Sequence, residues 1–484
     1  MNIKSQRVFT TLVVVCSFSF LITTVQFAHA RAPEVGVQPQ PQFRPRFTHQ
    51  FRIDPDDQED YMTGETPEGD QKYIKPQQNG DGYESDGSEF SDFEASEERW
   101  ENSVTPEDGC FEILPYWTWV GTVKPVLNWG YRSDAGANPL CAVANGATAE
   151  FTIAGEKKVV TAHKDRDIWR ADSPLDGCET RDLGAELIEY QITGMPAPAR
   201  VVMPPCAKSK EVQFTFLADT QKAPWIAEVF SNILAKLPSQ FVLHGGDHVQ
   251  TGGNRGMWRQ FFRAMRPMLG NQAIVSAIGN HDYRDSGKQA RNYSEFFDVE
   301  PDKAFYVVEA GPVRLFVLNS NFYLKRIDIE EQVKWLESAL AVPAQWKIVA
   351  FHHPPFSNGI GHLPLPFLSK EHLKIRTYLL PLFEQMGVDL VLNGHTHLFE
   401  RARNNGIEFM TTGAAGGRMG PFGRRNSKVF FSAQKRTAFW LSADDRHLEV
   451  QVLGQSGEVV DTWVKAKSIF SRDVSLPFSI APGR

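Results

Sequence analysis

Residues 388–401 have the sequence VDLVLNGHTHLFER, in which an apolar run is followed by two histidines two positions apart. The run at 388–392 is short and apolar, which predicts a buried parallel strand. Gly394 lets the chain leave this strand abruptly, and where the backbone stays extended His395 and His397 project from the same side. Such a pair can bind one metal ion or two neighbouring ions, although a polar loop would also explain it.

Four further predicted strands lie upstream, at 211–219, 241–244, 273–278 and 346–351, and helical apolar stripes lie between them. Strands that alternate with helices indicate parallel pairing, so their carboxyl ends meet where ligands collect in such sheets. The ends of these four strands carry Asp219, Asp247, the run Asn280-His281-Asp282, and the pair His352-His353. One Asp or His at a strand end is usually a cap or turn residue. Five ends with Asp, Asn and His offer the donors that divalent cations prefer, which predicts a metal site.

As a set, the segments between Glu211 and Gly417 resemble the calcineurin-like metallophosphoesterases and, within them, most closely the purple acid phosphatases. Three more motifs contribute to the resemblance: Gln332-x-x-Trp335-Leu336-Glu337, Trp346-Lys347-Ile348-Val349 and Gly394-His395-x-His397-x-x-x-Arg401. The resemblance implies an α/β fold, a four-layer α-β-β-α sandwich of two mixed sheets flanked by helices. It also implies hydrolysis of phosphate esters by a metal-bound hydroxide at a two-metal centre between strand ends.

The resemblance also implies a role for each ligand. Asp219 and His397 would hold the first metal, Asp247 would bridge, and the second metal would take Asn280, His352 and His395. His353 is a doubtful ligand, because the family's Val-x-x-His pattern falls on Val349 and His352. Two divalent ions are expected, with iron, zinc and manganese as the open choices.

Four other residues are candidates for contact with substrate or for support of the site. By the family's pattern, His281 would protonate the leaving group or orient the phosphate, and Asp282 would hold the tautomer of His281. His362 lies ten residues after His352, where plant purple acid phosphatases carry another active-site histidine, but it could equally be a surface loop residue. Arg418 follows the Gly-rich segment 413–417 and could pair with phosphate, unless the glycines only make a tight turn.

Three departures from the purple acid phosphatase pattern leave the substrate class open. Gln250 stands where the family has the tyrosine that binds ferric iron, so we expect a colourless enzyme without an obligatory ferric ion. Gln221 occupies the last position of the first Asp motif and is at best a weak ligand or a supporting donor. The third motif ends in Asp282, as in many diesterases, rather than in Glu. A phosphomonoesterase is the leading hypothesis, with a phosphodiesterase and a catalytically silent binding or surface protein as alternatives.

The rest of the chain suggests export and several segments. Residues 1–30 have a basic start, an apolar stretch and a small-x-small end, which is the pattern of a signal peptide. A retained anchor helix is the competing interpretation, because the apolar stretch approaches membrane-spanning length. Residues 31–108 predict an acidic disordered linker: from 51 to 108 there are 19 acids and four bases. Residues 109–210 predict a small β-rich domain, 211–465 the metallophosphoesterase domain, and 466–484 a C-terminal tail.

Cysteine usage supports the prediction of export. Cys110, Cys141, Cys178 and Cys206 form an even set in one region, which predicts two disulfides whose connectivity the sequence does not reveal. No segment after the signal is apolar enough to span a bilayer, and there is no nucleic-acid-binding signature. The expected location is therefore secreted or periplasmic, the expected partner is a phosphate-ester substrate, and the oligomeric state is open.

Overall fold

The computed structural model describes residues 109–121, 124–133, 141, 146–182, 187–322, 327–359 and 370–467. The predicted signal peptide, the predicted acidic linker, His362 and the predicted tail beyond 467 lie outside the described residues.

The described residues form a mixed α/β structure. The strands in chain order are β1 Phe111–Thr118, β2 Val126–Tyr131, β3 Thr148–Ile153, β4 Glu156–Thr161, β5 His163–Asp165, β6 Ile168–Asp172, β7 Leu187–Ile192, β8 Ala199–Val202, β9 Val212–Leu217, β10 Phe241–His244, β11 Ala273–Ser276, β12 Tyr306–Ala310, β13 Val313–Val317, β14 Trp346–Ala350, β15 Leu390–Asn393, β16 Phe399–Asn404, β17 Ile407–Thr411, β18 Val429–Ala433, β19 Thr437–Ala443, β20 His447–Gly454 and β21 Val459–Ala466. The α-helices are α1 Gly177–Asp182, α2 Pro224–Leu234, α3 Arg255–Ala264, α4 Arg266–Leu269, α5 Arg291–Phe297, α6 Ile329–Leu340, α7 Lys370–Lys374 and α8 Leu380–Gln385. A π-helix at Ile375–Leu379 joins α7 to α8.

These strands form three sheets within the described residues. One sheet has ten strands in the order β21-β20-β19-β9-β10-β11-β1-β2-β6-β5, and a second has seven in the order β12-β13-β14-β15-β17-β16-β18. Strands β9, β10 and β11 pair in parallel, as do β13, β14 and β15. A smaller sheet has the order β4-β3-β7-β8.

Alternation along the central strands produces the layers. In β9, Phe214 and Phe216 face a core shared with the second sheet, whereas Leu217 faces α2 and α3. In β14, Ile348 faces the same shared core and Val349 faces α6 and α8. Because successive side chains of a strand point to opposite faces, each central strand is apolar on both sides. The predicted four-layer α-β-β-α sandwich is confirmed.

The helices begin where the sequence provides a suitable first turn. Pro224 begins α2, where its missing N–H costs nothing. The side chains of Asn254 and Asp328 accept backbone N–H groups at the starts of α3 and α6. Among the described residues, no helix combines the length and the apolar character needed to cross a membrane.

Segment 109–210 contributes to the central sheet instead of standing apart from it. Strand β1 pairs in parallel with β11 and antiparallel with β2, so strands from both sides of the predicted boundary at 210 share one sheet. Side chains of this segment also join the cores: Trp117 lies in the core between the sheets, and Tyr116 contacts Phe262 of α3 at 4.3 Å between ring centroids. The boundary at 210 remains a prediction for the chain, but the sheet is continuous across it.

Two disulfides join the four cysteines for which the sequence predicts pairing. Cys110 bonds to Cys141, and Cys178 bonds to Cys206, at sequence separations of 31 and 28 residues. The prediction of two disulfides is confirmed, and the structure supplies the connectivity.

The second disulfide gives a testable expectation for stability. Replacing both Cys178 and Cys206 by Ala should lower the free energy of unfolding by about 3 kcal/mol, because the bond restricts a loop of that length in the unfolded chain. Urea unfolding of the double variant and of the parent measures this. An unchanged midpoint would show that the bond contributes nothing to stability.

Candidate metal centre

The candidate site lies where the carboxyl ends of the two sheets meet. Asp219 follows β9 and Asp247 follows β10, and both come from the ten-stranded sheet. His352 follows β14 of the seven-stranded sheet, and its Nε2 lies 3.0 Å from Asp247 Oδ2 and 4.0 Å from Asp219 Oδ1. The contact between residues of different sheets shows that the predicted strand ends converge.

Several candidate ligands have left-handed backbone conformations. Asp219, Asp247, His395 and His397 have φ values of 55°, 56°, 75° and 53°. A non-glycine residue rarely adopts this region, and such residues concentrate at functional sites. The backbone at 395 and 397 is therefore not extended, so the condition under which both histidines would project from the same side is not met. The chain bends at both histidines, so that each reaches a different part of the site.

The tautomer of His352 directs a lone pair at the carboxylates. Its Nδ1 lies 3.0 Å from the carbonyl oxygen of Gly245, which can only accept, so Nδ1 carries the proton. Nε2 is buried and has no partner of acceptable hydrogen-bond geometry among the described residues. A nitrogen lone pair facing the oxygens of Asp247 and Asp219 is unfavourable unless a positive charge lies between them.

His397 repeats this arrangement on the other side of Asp219. Its Nδ1 donates to the carbonyl oxygen of Arg418, which leaves a lone pair on Nε2. That Nε2 lies 3.2 Å from Asp219 Oδ1. Two imidazole lone pairs therefore face two buried carboxylates, which is the donor set that binds zinc, iron or manganese. The residues present fit divalent metal binding.

The pKa values in this site agree with that conclusion. Burial opposes a charge on His352, but Asp247 and Asp219 outweigh it and raise the pKa of this histidine to about 9. A proton on His352 thus takes the place of a cation. Burial, and then the neighbouring His352, hold the pKa of His395 well below its usual value. His395 is therefore neutral and ready to act as a ligand.

A second group of donors lies beside His352. His395 Nδ1 lies 3.1 Å from Asn280 Oδ1, and the rings of His352 and His395 are 5.1 Å apart. Nitrogens of His352, His353 and His395 lie within 4.8 Å of one another, as do ligand atoms of Asp219, Asp247 and His352. His352 belongs to both groups, so the two potential binding positions are adjacent.

Glycines leave the space that the carboxylates occupy. A Cβ atom on Gly279 would lie 2.0 Å from Asp247 Oδ1, and one on Gly394 would lie 2.4 Å from Asp219 Oδ2. Neither distance is sterically possible. Gly279 and Gly394 are therefore needed because the backbone at these positions closely approaches the carboxylates of Asp247 and Asp219.

His281 is held beside the site by its backbone and its ring. Its N–H donates to Asp247 Oδ1 at 2.8 Å, and its Nδ1 lies 2.8 Å from the carbonyl oxygen of Gln250. This carbonyl fixes the proton on Nδ1, so Nε2 is the atom that can exchange a proton. The predicted pairing of Asp282 with the His281 ring is not what the structure shows, because Gln250 supplies the acceptor.

Asp282 instead organises the loop that carries Asp247. Its carboxylate is fully buried and accepts hydrogen bonds from the backbone N–H groups of Asp247, His248 and Gly279 at 2.9–3.1 Å. It also pairs with His248 Nδ1 at 3.0 Å. Burial alone would raise the pKa of Asp282, but His248 and these N–H groups outweigh burial and lower it. Asp282 is a positioning residue for Asp247.

The Gly-rich turn packs against the first strand end. The N–H groups of Gly416 and Gly417 donate to the carbonyl oxygen of Asp219 at 2.8 and 2.7 Å. These amides therefore bind the chain itself, which favours the structural alternative for this turn. The side chain of Arg418 is exposed, and its pairing with phosphate stays a prediction.

Sequence reasoning missed two histidines near the centre. His353, judged a doubtful ligand, lies with its ring 4.3 Å from that of His395, and its Nδ1 is 2.8 Å from Ser320 Oγ. His372 is buried in α7, with its ring 6.0 Å from His395. The adjacency of His353 to His352 was the only signal for the former. His372 lies on a helix far along the chain, and no local pattern marks it.

The raised pKa of His352 predicts proton release on metal binding. Because this pKa is about 9 in the folded protein and 6.5 is the ordinary value, the ion pair stabilises the metal-free protein fully below about pH 6.5. That stabilisation is lost as the pH rises through about 9. Metal binding near neutral pH must therefore displace about one proton from this ring. Calorimetric titration with Zn²⁺ in buffers of different ionisation enthalpy measures the number of protons released per metal ion bound. This number should fall towards zero above pH 9. A number that stays constant from pH 7 to pH 10 would contradict the assignment.

Comparisons with known proteins agree with the fold. Residues 212–399 match the family model described as calcineurin-like phosphoesterase. Purple acid phosphatase 17 of Arabidopsis thaliana is 26% identical over 288 residues, which cover 51% of this chain and 81% of that protein.

Two solved structures share the architecture. The structure of purple acid phosphatase PPD1 from yellow lupin seeds superposes with a TM-score of 0.57 at 16% identity, covering 72% of this chain and 73% of that one. The structure of PhoD gives a TM-score of 0.54 at 12% identity and covers 74% of this chain and 92% of that one. At these identities the likeness concerns the fold.

Proposed function

Because residues 212–399 make this chain a member of the calcineurin-like phosphoesterase family, we propose that it is an exported phosphomonoesterase with two metal ions. Family membership makes the chain a phosphoesterase that uses divalent metal ions. The number of ions, the preference for monoesters and export are our proposal. The observation that carries the proposal is the pair of imidazole nitrogens, Nε2 of His352 and Nε2 of His397, that face two buried carboxylates.

The contacts support one assignment of ligands to the two positions. Asp219 and His397 would hold the first ion, and Asp247, which has two carboxylate oxygens, would be shared by both positions. Asn280, His352 and His395 would hold the second ion, in line with the contact between His395 and Asn280. Such ions supply charge stabilisation to phosphoryl oxygens and activate water as a nucleophile.

The chain's own residues then position and protonate the ester. His281 keeps its Nδ1 proton on the backbone carbonyl of Gln250, so a doubly protonated ring would deliver its Nε2 proton to the leaving oxygen and become neutral. The N–H of the same residue holds Asp247 Oδ1, which couples the acid to the bridging ligand. His353, fixed by Ser320, supplies a further imidazole beside the second position.

The structure weakens one argument for a phosphodiesterase. Asp282 was the residue that resembled diesterases, but its carboxylate is buried and occupied by the chain's own N–H groups. It does not face substrate, so its identity says little about substrate class. Gln250 affects the expected colour and not the substrate class. Its amide cannot give the charge-transfer absorption band that a tyrosine phenolate bound to ferric iron gives. We expect no visible absorption band from the metal-loaded protein.

Export is supported by the two disulfides. Such bonds persist in oxidising compartments, and both lie in the same segment of the chain. A secreted or periplasmic location is therefore part of the proposal.

A comparison of two nitrophenyl esters tests the proposed activity. The metal-loaded protein should hydrolyse 4-nitrophenyl phosphate with a kcat/KM at least about tenfold above that for bis(4-nitrophenyl) phosphate, which corresponds to about 1.4 kcal/mol of transition-state discrimination. Metal content by elemental analysis should approach two ions per chain. The reverse preference would establish the diesterase alternative, and no hydrolysis of either ester would reject the proposed function.

A further inference from the structure

A cavity of about 800 Å³ lies beside the metal centre, along α2 and α3. Its volume is in the range of sites that hold small-molecule ligands. Gln221, which lines this cavity, places its Nε2 3.2 Å from Nε2 of the candidate ligand His397. A ligand in the cavity is therefore one side chain away from the proposed first metal position.

Two buried glutamine side chains in the cavity wall have unsatisfied polar atoms. Gln221 is 2% exposed, and its Oε1 has no hydrogen-bond partner among the described residues. Gln250 is 6% exposed, and neither atom of its amide has a partner there. An unsatisfied buried amide destabilises a protein, and each instance in a native structure calls for an explanation. Both residues stand at positions where the sequence departs from the family pattern, and both line the same cavity.

The charged residues of the described cavity wall are mostly basic. Arg132, Lys222, Arg259 and Arg263 line it. The acidic residue of this wall is Glu112, whose carboxylate accepts a hydrogen bond from Arg255 at 3.1 Å. The sum of these charges is positive, and a concave wall of one sign concentrates ions of the opposite sign.

We propose that this cavity receives the leaving group of the phosphate ester, and that preferred substrates carry a second anionic group on that leaving group. This inference rests on the proposed function. The amides of Gln221 and Gln250 would bond the polar part of the leaving group next to the metal centre. The basic side chains would bind its phosphate or carboxylate further along the cavity.

Binding of three non-hydrolysable phosphonates tests the inference independently of turnover. Hexylphosphonate has an uncharged end, 6-phosphonohexanoate ends in a carboxylate, and hexane-1,6-diphosphonate ends in a second phosphonate. By isothermal titration calorimetry on the metal-loaded full chain, the two doubly anionic ligands should bind about tenfold tighter than hexylphosphonate, as expected for one charge-assisted contact. The tighter of the two identifies the preferred anion.

Variants of the basic wall locate the effect. The combined variant Lys222→Met and Arg259→Met should reduce the preference to about twofold or less, because both cations are removed while an unbranched apolar side chain remains at each position. Lys236→Met is the matched control, since Lys236 is an exposed cation outside the cavity lining. It should leave the preference unchanged.

The variant Gln250→Leu separates a ligand-binding role from a structural one. Removing two unsatisfied buried atoms should raise Tm by about 1–3 °C, while hexylphosphonate and 6-phosphonohexanoate should both bind more weakly. Equal affinity of the wild-type protein for all three phosphonates would overturn the inference. So would a preference that survives in the double variant, or an absence of binding by all three. Hydrolysis of 4-nitrophenyl phosphate, measured on the same preparations, reports on the proposed function separately.

Discussion

The variant Asp247→Asn is expected to lose both bound metal and turnover. The proposed bridging carboxylate has one oxygen beside His352 Nε2 and the other on the N–H of His281. An amide keeps the shape but removes the charge and one of the acceptor atoms. The loss of several kcal/mol of metal-assisted stabilisation should lower kcat/KM by roughly 10³-fold. Elemental analysis and 4-nitrophenyl phosphate hydrolysis measure the two effects together.

The variant Asp285→Asn is a matched control for this substitution. Asp285 also has a left-handed backbone, with φ of 54°, but it is exposed and contributes no ligand atom. Asn tolerates this backbone conformation as well as Asp does, so neither variant should misfold for that reason. If Asp247→Asn kept its metal and its activity, as Asp285→Asn should, the proposed centre would be rejected.

The second large effect is expected from Asp282→Asn. The carboxylate of Asp282 accepts three backbone N–H groups and the ring N–H of His248, all of them buried. Whichever way an asparagine side chain turns, its NH₂ group would face one or more of these donors. Breaking such a buried charge network costs about 3–5 kcal/mol. Urea unfolding should show this loss, and Zn²⁺ titration should show weaker metal binding, because the loop that presents Asp247 loses its support.

The variant Asp389→Asn distinguishes loss of stability from loss of the site. Asp389 is also buried and accepts the N–H of Lys347, and it pairs with Lys465 and Lys467 at 2.8 Å. It precedes β15, at the opposite end of that strand from His395. Both variants should be less stable, and only Asp282→Asn should bind metal more weakly. Equal metal affinity of these two variants would show that Asp282 supports the fold alone.

The strands that carry the site were predictable because their signals are local. Strand β10 has the predicted bounds, and β9, β11 and β14 differ from their predicted ranges only at the ends. Each of these strands consists mostly of apolar residues, because both of its faces are covered. Pairing between distant segments has no such local signal. Strand β1 pairs with β11 although more than a hundred residues separate them in the chain, and nothing in either sequence indicates the pairing.

The candidate site was predictable to the same extent. Candidate ligands at strand ends, such as Asp219 and His395, could be predicted because sheet topology brings strand ends together. The positions of the imidazole rings and of the carbonyl groups that accept their hydrogen bonds could not be predicted, because they depend on side-chain packing. The acceptor for the His281 ring is a backbone carbonyl, which carries no sequence signature at all. The position of His372 was also not predictable, because only the folded chain places helix α7 beside His395.

The pairing of β1 with β11 has a consequence for any attempt to isolate the catalytic part of the chain. A fragment that starts at 211 would retain all six proposed ligands yet expose an uncapped parallel strand at the middle of a former sheet. Exposed strand edges of this kind pair with strands of other chains, so we expect such a fragment to aggregate. Residues 109–210 thus cover the edge that strand β11 would otherwise expose.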